Sequence, residues 1–368
     1  MRHDPIDSAL FTEHRKQLAA RLPPNSVAIV HAADPLTTNG DGVVRYVPAA
    51  DLFWLTGIEQ PESVAVLIPD AMNPAHREML FIREPNASLE TWEGHSLTKE
   101  KAQTISGIST VFWSDNLATT LHPLLVEKDS IVLNTNEHSR AGLGIESRDL
   151  RMARQFLDRY PLHSFHRLAP IFHDLRAVKS TAEVNIIRDA IAITKHGLDK
   201  VLSHLKPGVK EYELEAELIG EFTRQRATMG YEPIVASGKN ACTLHYINNN
   251  GPCQDGDLLL IDVGANHANY TADVTRVFPV SGRFTPRQKE LYQAVLRVLQ
   301  SSIERTVVGA TLSQWKWDAQ HQMAEELREL GLINQNQYAS DSIENPACKD
   351  FFMHGLGHSL GLGVHDPA

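Results

Sequence analysis

Two sets of residues in this chain are placed to do chemistry: a pair of carboxylates on a hairpin and three histidines in a glycine-rich stretch. Leu258 to Phe278 reads LLLIDVGANHANYTADVTRVF. Apolar residues Leu258 to Ile261 on one side, and Val274, Val277 and Phe278 on the other, flank a polar turn near Asn266 to Asn269. That pattern predicts a β-hairpin. Symmetry about His267 and Ala268 would set Asp262 directly opposite Asp273. Directly opposed side chains have Cβ atoms roughly 4.5–5.5 Å apart, and like charges there repel. A hard divalent cation, or two cations sharing a bridge, would neutralise such a pair. The competing reading is an ordinary edge strand whose aspartates face water.

The second set lies in MHGLGHSLGLGVHDPA, Met353 to Ala368, where His354, His358 and His365 sit among four glycines. Glycine costs about 1 kcal/mol per helical position, which argues against a long regular helix. The i,i+4 spacing of His354 and His358 is therefore not that of a zinc-binding HExxH helix, and no glutamate follows His354. Glycine-rich backbone approaches a metal or ligand closely. The alternative is a weakly ordered tail with incidental histidines.

Composition narrows the class of protein. The 368 residues suffice for two domains, and 42% apolar with 22% charged residues is ordinary for a globular chain. A net charge of −10 argues against a nucleic-acid surface, which wants a basic patch. Cys242, Cys253 and Cys348 form no CxxC pattern, and three is an odd count. Both features fit a reducing compartment without a disulfide framework or zinc knuckle. The opening MRHDPIDSALFTEHRKQ has no apolar core of a signal peptide, and no run approaches eighteen apolar residues. A cytoplasmic enzyme that engages no membrane is expected.

Around these residues the chain alternates strands and helices. A helix is expected over 7–22, then a strand at Ser26–Ala32 and a polar loop at Asp34–Gly42. DLFWLTG (Asp51–Gly57) is aromatic and ends in a turn. Ser63–Asp70, Glu78–Glu84, Ser109–Trp113 and Ser130–Asn134 read as strands, with helices around Leu117–Val126 and Asp149–Arg159. Such alternation predicts a mixed α/β domain over 1–175. A boundary is expected near His173–Ser180, after the proline-containing link RLAPIFHDLR. Ser180 and Glu183 then form a capping box for a helix carrying Val184, Ile187, Ala190 and Ile191, which Pro207–Gly208 ends. A second helix is expected from Glu211 to Met229, and a third, capped by Thr285, Pro286 and Gln288, carrying Leu291, Val295, Val298 and Leu299. A fourth covers Leu312–Leu330.

Taken together these stretches resemble the pita-bread metallopeptidases, the family of Xaa-Pro aminopeptidase (aminopeptidase P), prolidase, creatinase and methionine aminopeptidase. IDVGANHANYTADVTRVFPV resembles the family's paired-aspartate hairpin, and HGLGHSLGLGVHD its metal-histidine signature. TLHY (Thr243–Tyr246) resembles the substrate-side histidine, and RAVKSTAEVNIIRDA the start of the catalytic domain. DLFWLTG and TWEG (Thr91–Gly94) are similar to the amino-terminal domain of aminopeptidase P and prolidase, which methionine aminopeptidase usually lacks. The resemblance implies a pita-bread (creatinase/aminopeptidase-like) catalytic domain over 176–368. It also implies two divalent cations held by Asp262, Asp273 and His358, with Asp273 bridging. Carboxylate-rich ligation leans to manganese over zinc or copper. His245 and His365 would hydrogen-bond the scissile carbonyl or the oxyanion, and His354 would line the pocket that receives proline. An Xaa-Pro bond has no N–H, so a pocket shaped for the ring must replace ordinary backbone recognition. The implied substrates are peptides with proline at the second position, and the implied assembly is a homo-oligomer, dimer or tetramer. Trp92 would stand at a subunit edge or in an ordinary core.

The family's remaining two metal ligands are glutamates downstream of the V-H-D motif, one in a T-x-E-P-G stretch. The sequence runs to Ala368, two residues past Asp366, so three of five ligands are present. A catalytic domain incomplete at its carboxyl end is therefore expected, with weak metal binding and little turnover from these residues alone. The same incompleteness predicts a loosely packed 180–368 beside a stable 1–175. The alternative functions are prolidase, cleaving Xaa-Pro dipeptides, and a metal-free pseudoenzyme that binds peptides or proteins.

Overall fold

The computed structural model describes residues 3–40, 42–94, 96–135, 137–138 and 144–367. Asp41 of the expected polar loop, and Ala368, lie outside the described residues. The chain forms two compact units: Met1–Ala190 with Asn266–Thr271 and Ser359–Ala368, and Ile191–Ala265 with Ala272–His358.

The first unit is built on a six-stranded sheet of β1 (Ser26–His31), β2 (Val64–Leu67), β3 (Glu78–Ile82), β4 (Thr110–Trp113), β5 (Ser130–Leu133) and β6 (Ser164–Arg167), in the order β4-β3-β2-β1-β5-β6. β1 pairs antiparallel with β2 and parallel with β5, so the sheet is mixed as expected. The continuous apolar run of β1 is buried on both faces. Val27 and Ile29 enter one core, with Val66, Phe81 and Ile131, and Ala28 and Val30 enter the opposite one, with Leu52, Trp54 and Phe172. That is the strand composition of a sheet covered on both sides. DLFWLTG is mostly helix, Ala50–Thr56, stopped by Gly57 at φ 67°. A Cβ there would lie 2.4 Å from the Phe11 ring, so packing and backbone both require glycine. The expected link RLAPIFHDLR is a helix instead, Ala169–Ala177, because its proline occupies the first turn, where no N–H is needed.

Buried charge ties this unit together. Arg15 is fully buried, its Nε on Glu78 at 2.8 Å and its Nη1 on the Leu55 and Ser106 carbonyls, both at 2.8 Å. Glu183 closes the expected capping box with Ser180 and accepts the Tyr270 hydroxyl at 3.0 Å. His14, stacked on Trp54 at 3.9 Å between ring centroids, lies 3.6 Å from Glu183.

The second unit contains a three-stranded antiparallel sheet, β12-β9-β8, the short strand β7, and helices Glu211–Arg224, Pro286–Glu304 and Leu312–Glu329. Its strands are β7 (Thr228–Met229), β8 (Ile234–Ser237), β9 (Leu258–Val263) and β12 (Val274–Pro279). The hairpin tip forms β10 (Ala265–His267) and β11 (Tyr270–Thr271), which beyond Ala265 belong to the first unit. The second helix stops at Arg224, short of the expected Met229, because Arg226 turns left-handed at φ 64°. Thr285, Pro286 and Gln288 cap the third helix as read. Of its apolar residues Val298 is buried, whereas Val295 and Leu299 are 55% and 42% exposed.

The hairpin register differs from the symmetric expectation by two residues. Asn266 pairs with Thr271 and His267 with Tyr270, leaving Ala268 and Asn269 as a two-residue loop. Both adopt positive φ, 50° and 67°, the conformation of a type I′ turn. Asp262 consequently pairs with Thr275, not Asp273.

Gly264 lets the two arms close beyond this sheet: a Cβ there would lie 1.7 Å from the Ala272 carbonyl oxygen, which is backbone and cannot swing away. Gly264→Ala is expected to destabilise the protein by at least about 1–3 kcal/mol. Gly355→Ala, where no atom lies within 4 Å of the added Cβ, is expected to stay within about 1 kcal/mol of the native chain; denaturant unfolding of the two variants checks the contrast. Burial would raise the Glu183 pKa, but His14 and the Ser180 N–H overcome it and hold it at about 2, down from 4.5. The carboxylate thus contributes about 3 kcal/mol above pH 4.5, lost as pH falls from 4.5 toward 2. Glu183→Gln should show that deficit at pH 6 and almost none at pH 2 in chemical denaturation.

Candidate metal centre

Burial alternates along β9. Leu259, Ile261 and Val263 point into the core packed by the Glu211–Arg224 helix, which leaves Asp262 on the other face. β9 is central, so Asp262 is flanked by Ile234 of β8 and Thr275 of β12. Asp273 stands just before β12, where the pairing is interrupted.

Tyr231, three residues ahead of β8, joins the two carboxylates. Its hydroxyl lies 2.5 Å from Asp262 Oδ1 and 3.0 Å from Asp273 Oδ1. A phenol has one proton to donate, so it serves one carboxylate fully and leaves the other only partly compensated. Burial raises the Asp262 pKa and the Asp273 charge adds to it, against the Tyr231 hydrogen bond. Burial and then the charges of Asp262 and Asp273 push the Tyr231 pKa up as well, so the phenol stays a proton donor. His358 places Nε2 3.1 Å from Asp273 Oδ2. Asp262, Asp273 and His358 therefore converge, although not through the opposed pairing that symmetry predicted.

The other expected site residues stand as follows. His245 is exposed on the turn after β8. His354 is exposed, its Nδ1 2.7 Å from the Gly355 carbonyl and its ring edge-on to Phe352. His365 is half-buried in the first unit, beside Asp366. Asp366 itself is held by Arg176 Nη2 at 2.5 Å and Lys179 Nζ at 3.0 Å, and Arg176 also reaches Asp51 at 2.6 Å. Three stretches singled out in the sequence, DLFWLTG, RAVKS and GVHD, thus meet in one buried ion cluster. Trp92 is 85% exposed, which removes the ordinary-core reading.

The donor chemistry suits a hard divalent cation: two carboxylates that repel, and an imidazole on the same spot. Among the described residues no three such side chains are arranged as a ready cage; the Tyr231 hydroxyl lies on one oxygen of each carboxylate and His358 on the other oxygen of Asp273. Asp262, Asp273 and His358 are the residues that would hold the ion. Tyr231 escaped the sequence reading, since a tyrosine before a buried strand looks like core; the available signal was its place in YEPIV, ahead of the strand that pairs with Asp262.

The chain belongs to metallopeptidase family M24, whose model matches residues 185–368, and the aminopeptidase P N-terminal domain matches residues 11–133. It is 33% identical over 360 residues to the Xaa-Pro aminopeptidase of Escherichia coli (strain K12), covering 97% of this chain and 80% of that protein. The low-pH form of E. coli aminopeptidase P superposes with a TM-score of 0.88 at 30% identity, over 99% of this chain and 83% of that one. A zinc-substituted form of that enzyme in complex with product gives 0.86 at 30% identity, over 99% and 83%. These matches bear out the mixed α/β first domain and the pita-bread catalytic fold.

Tyr231→Phe leaves the two carboxylates without their common donor. Unfolding free energy of the metal-free protein is expected to fall by about 1–3 kcal/mol, measured by denaturant titration in the presence of a chelator.

Proposed function

We propose that this chain is an Xaa-Pro aminopeptidase, a metalloexopeptidase that releases the N-terminal residue preceding proline. The observation that carries the reading is the convergence of Asp262, Asp273 and His358 around Tyr231 in a member of family M24. Similarity to the E. coli Xaa-Pro aminopeptidase across 97% of the chain supports the proline specificity. Residues 1–175 are proposed as the amino-terminal domain and 176–368 as the catalytic one.

When bound, a pair of divalent cations lowers the pKa of water and polarises the scissile carbonyl. Asp262, Asp273 and His358 are the residues that would hold them, and manganese is the proposed metal. His245 and His365 are assigned to donate N–H hydrogen bonds to the carbonyl oxygen as it gains charge, a contact that strengthens toward the transition state. His354 is assigned to the surface that receives the proline ring. Tyr231, by sharing its proton between two carboxylates, keeps them aimed at one place. The free cysteines support a reducing compartment, the cytoplasm. Among the described residues no helix is long and apolar enough to cross a membrane. A homo-oligomer, dimer or tetramer, is proposed, with exposed Trp92 at a subunit edge.

The test is turnover of Xaa-Pro peptides against matched Xaa-Ala peptides, with manganese and with chelator. Turnover, expected to be little with three of the family's five ligands, should be divalent-cation-dependent release of the first residue, confined to the proline peptides and extending beyond dipeptides. Asp262→Asn and Asp273→Asn should each lower kcat/KM by at least about 10³-fold, the scale of several kcal/mol of transition-state stabilisation. Hydrolysis that persists undiminished in chelator, or that ignores proline, overturns the reading.

A further inference from the structure

Glu211 is the first residue of the Glu211–Arg224 helix and is completely buried. Its carboxylate accepts four hydrogen bonds. Oε1 takes the Ser237 backbone N–H at 2.7 Å and Asn240 Nδ2 at 2.9 Å. Oε2 takes the Tyr246 hydroxyl at 2.8 Å and the Gly251 backbone N–H at 2.6 Å. All four donors are neutral. Ser237 ends β8 and Gly251 follows the segment that leaves it, so one carboxylate fastens both ends of residues 238–250 and two points between.

The rest of the segment reinforces this hold. Asn240 Nδ2 lies 3.0 Å from the Tyr246 oxygen, which also accepts the Asn250 N–H at 3.2 Å. The Glu211 N–H donates in turn to the Gly251 carbonyl at 3.0 Å. A Cβ on Gly251 would lie 2.6 Å from Asn240 Nδ2 and 3.0 Å from both Glu211 oxygens, so no side chain fits at that position. A carboxylate taken out of water is costly unless its hydrogen bonds are replaced, and here the segment itself supplies the replacements. The segment carries His245, adjacent to Tyr246 in the chain, and His245 makes no described hydrogen bond of its own. Its position is therefore inherited from the backbone that Glu211 holds.

We propose that Glu211 is a positioning residue for the reaction: it fixes the 238–250 segment so that the His245 imidazole meets the substrate carbonyl. The inference rests on the substrate-side reading of His245 made above.

A double-mutant cycle tests it, read on hydrolysis of an Xaa-Pro peptide by the manganese-loaded protein. The His245 ring is followed in parallel by NMR of histidine-labelled protein, a signal independent of turnover. Glu211→Gln turns one acceptor into a donor facing donors. It is expected to lower kcat/KM about 10²-fold, the scale of a displacement of roughly 1 Å, mainly in kcat, and to shift the His245 resonance. Glu211→Asp should recover part of the loss. In a His245→Ala background Glu211→Gln should change turnover by less than about twofold, since coupled residues do not add. Tyr246→Phe, which removes one of the four hydrogen bonds to the carboxylate and the two that the Tyr246 oxygen accepts, carries the same cycle should Glu211→Gln fail to fold. Losses that multiply in the double mutant, or an unmoved His245 resonance in Glu211→Gln, overturn the proposal. If His245→Ala leaves turnover intact while Glu211→Gln still moves the resonance, the catalytic reading of His245 falls and the hold of Glu211 on the segment stands.

Discussion

Two carboxylates brought to one place repel, and the second unit is arranged around that repulsion. At a separation of 4 Å, two unit charges near a protein surface interact by about 4 kcal/mol, a large part of the total stability of a domain. The central strand supplies Asp262 from the face opposite its core, and Gly264 allows the returning chain to bring Asp273 close. Tyr231 then enters from the segment just ahead of the neighbouring strand with the one proton available to both. The scaffold holds the charges together and leaves their neutralisation incomplete. An apolar replacement would relieve the strain and remove the site.

Buried charge elsewhere follows a related rule. Arg15, Arg176, Glu183 and Glu211 each lose their water and recover hydrogen bonds from chain segments far away in sequence. Such groups add little net stability against well-packed hydrophobes, because desolvation offsets attraction. What they provide is geometry. A guanidinium that must reach two carbonyls and a carboxylate admits few arrangements of the elements that carry them.

Much of this was legible in the sequence, and the misses have physical causes. Val27, Ile29, Val64 and Phe81 announce buried strands because they stand in short continuous apolar runs, rich in β-branched residues and bounded by turns. Ser180 with Glu183, and Thr285 with Gln288, mark helix starts that the backbone adopts. The aspartates and His358 were found by type and spacing, but the register was not. Ala268 and Asn269 form the turn with positive φ, and a left-handed alanine carries no sequence signal. Pro170 was read as a break although it begins a helix, since proline serves either purpose until the downstream periodicity is weighed. β6 was missed because Ser164, His166 and Arg167 are polar and exposed on an edge strand. Glu211 could not have been singled out, since nothing local distinguishes a buried anchoring carboxylate from its ordinary counterparts.

The ion cluster of the first unit also sets an order in time. Arg176 finds Asp51 among residues already synthesised, 125 positions back, but its other partner, Asp366, lies 190 positions ahead. Loop-closure entropy rises only slowly with length, about 0.6 kcal/mol per doubling, so the late closure is thermodynamically cheap. On the ribosome it is slow, since at about 5–20 residues per second those 190 residues take roughly 10–40 s to appear. The strands from β1 to β6 have all emerged well before then. During that interval Asp51 alone neutralises a guanidinium destined for burial, and the nascent first unit waits with half of its central ion cluster unbuilt.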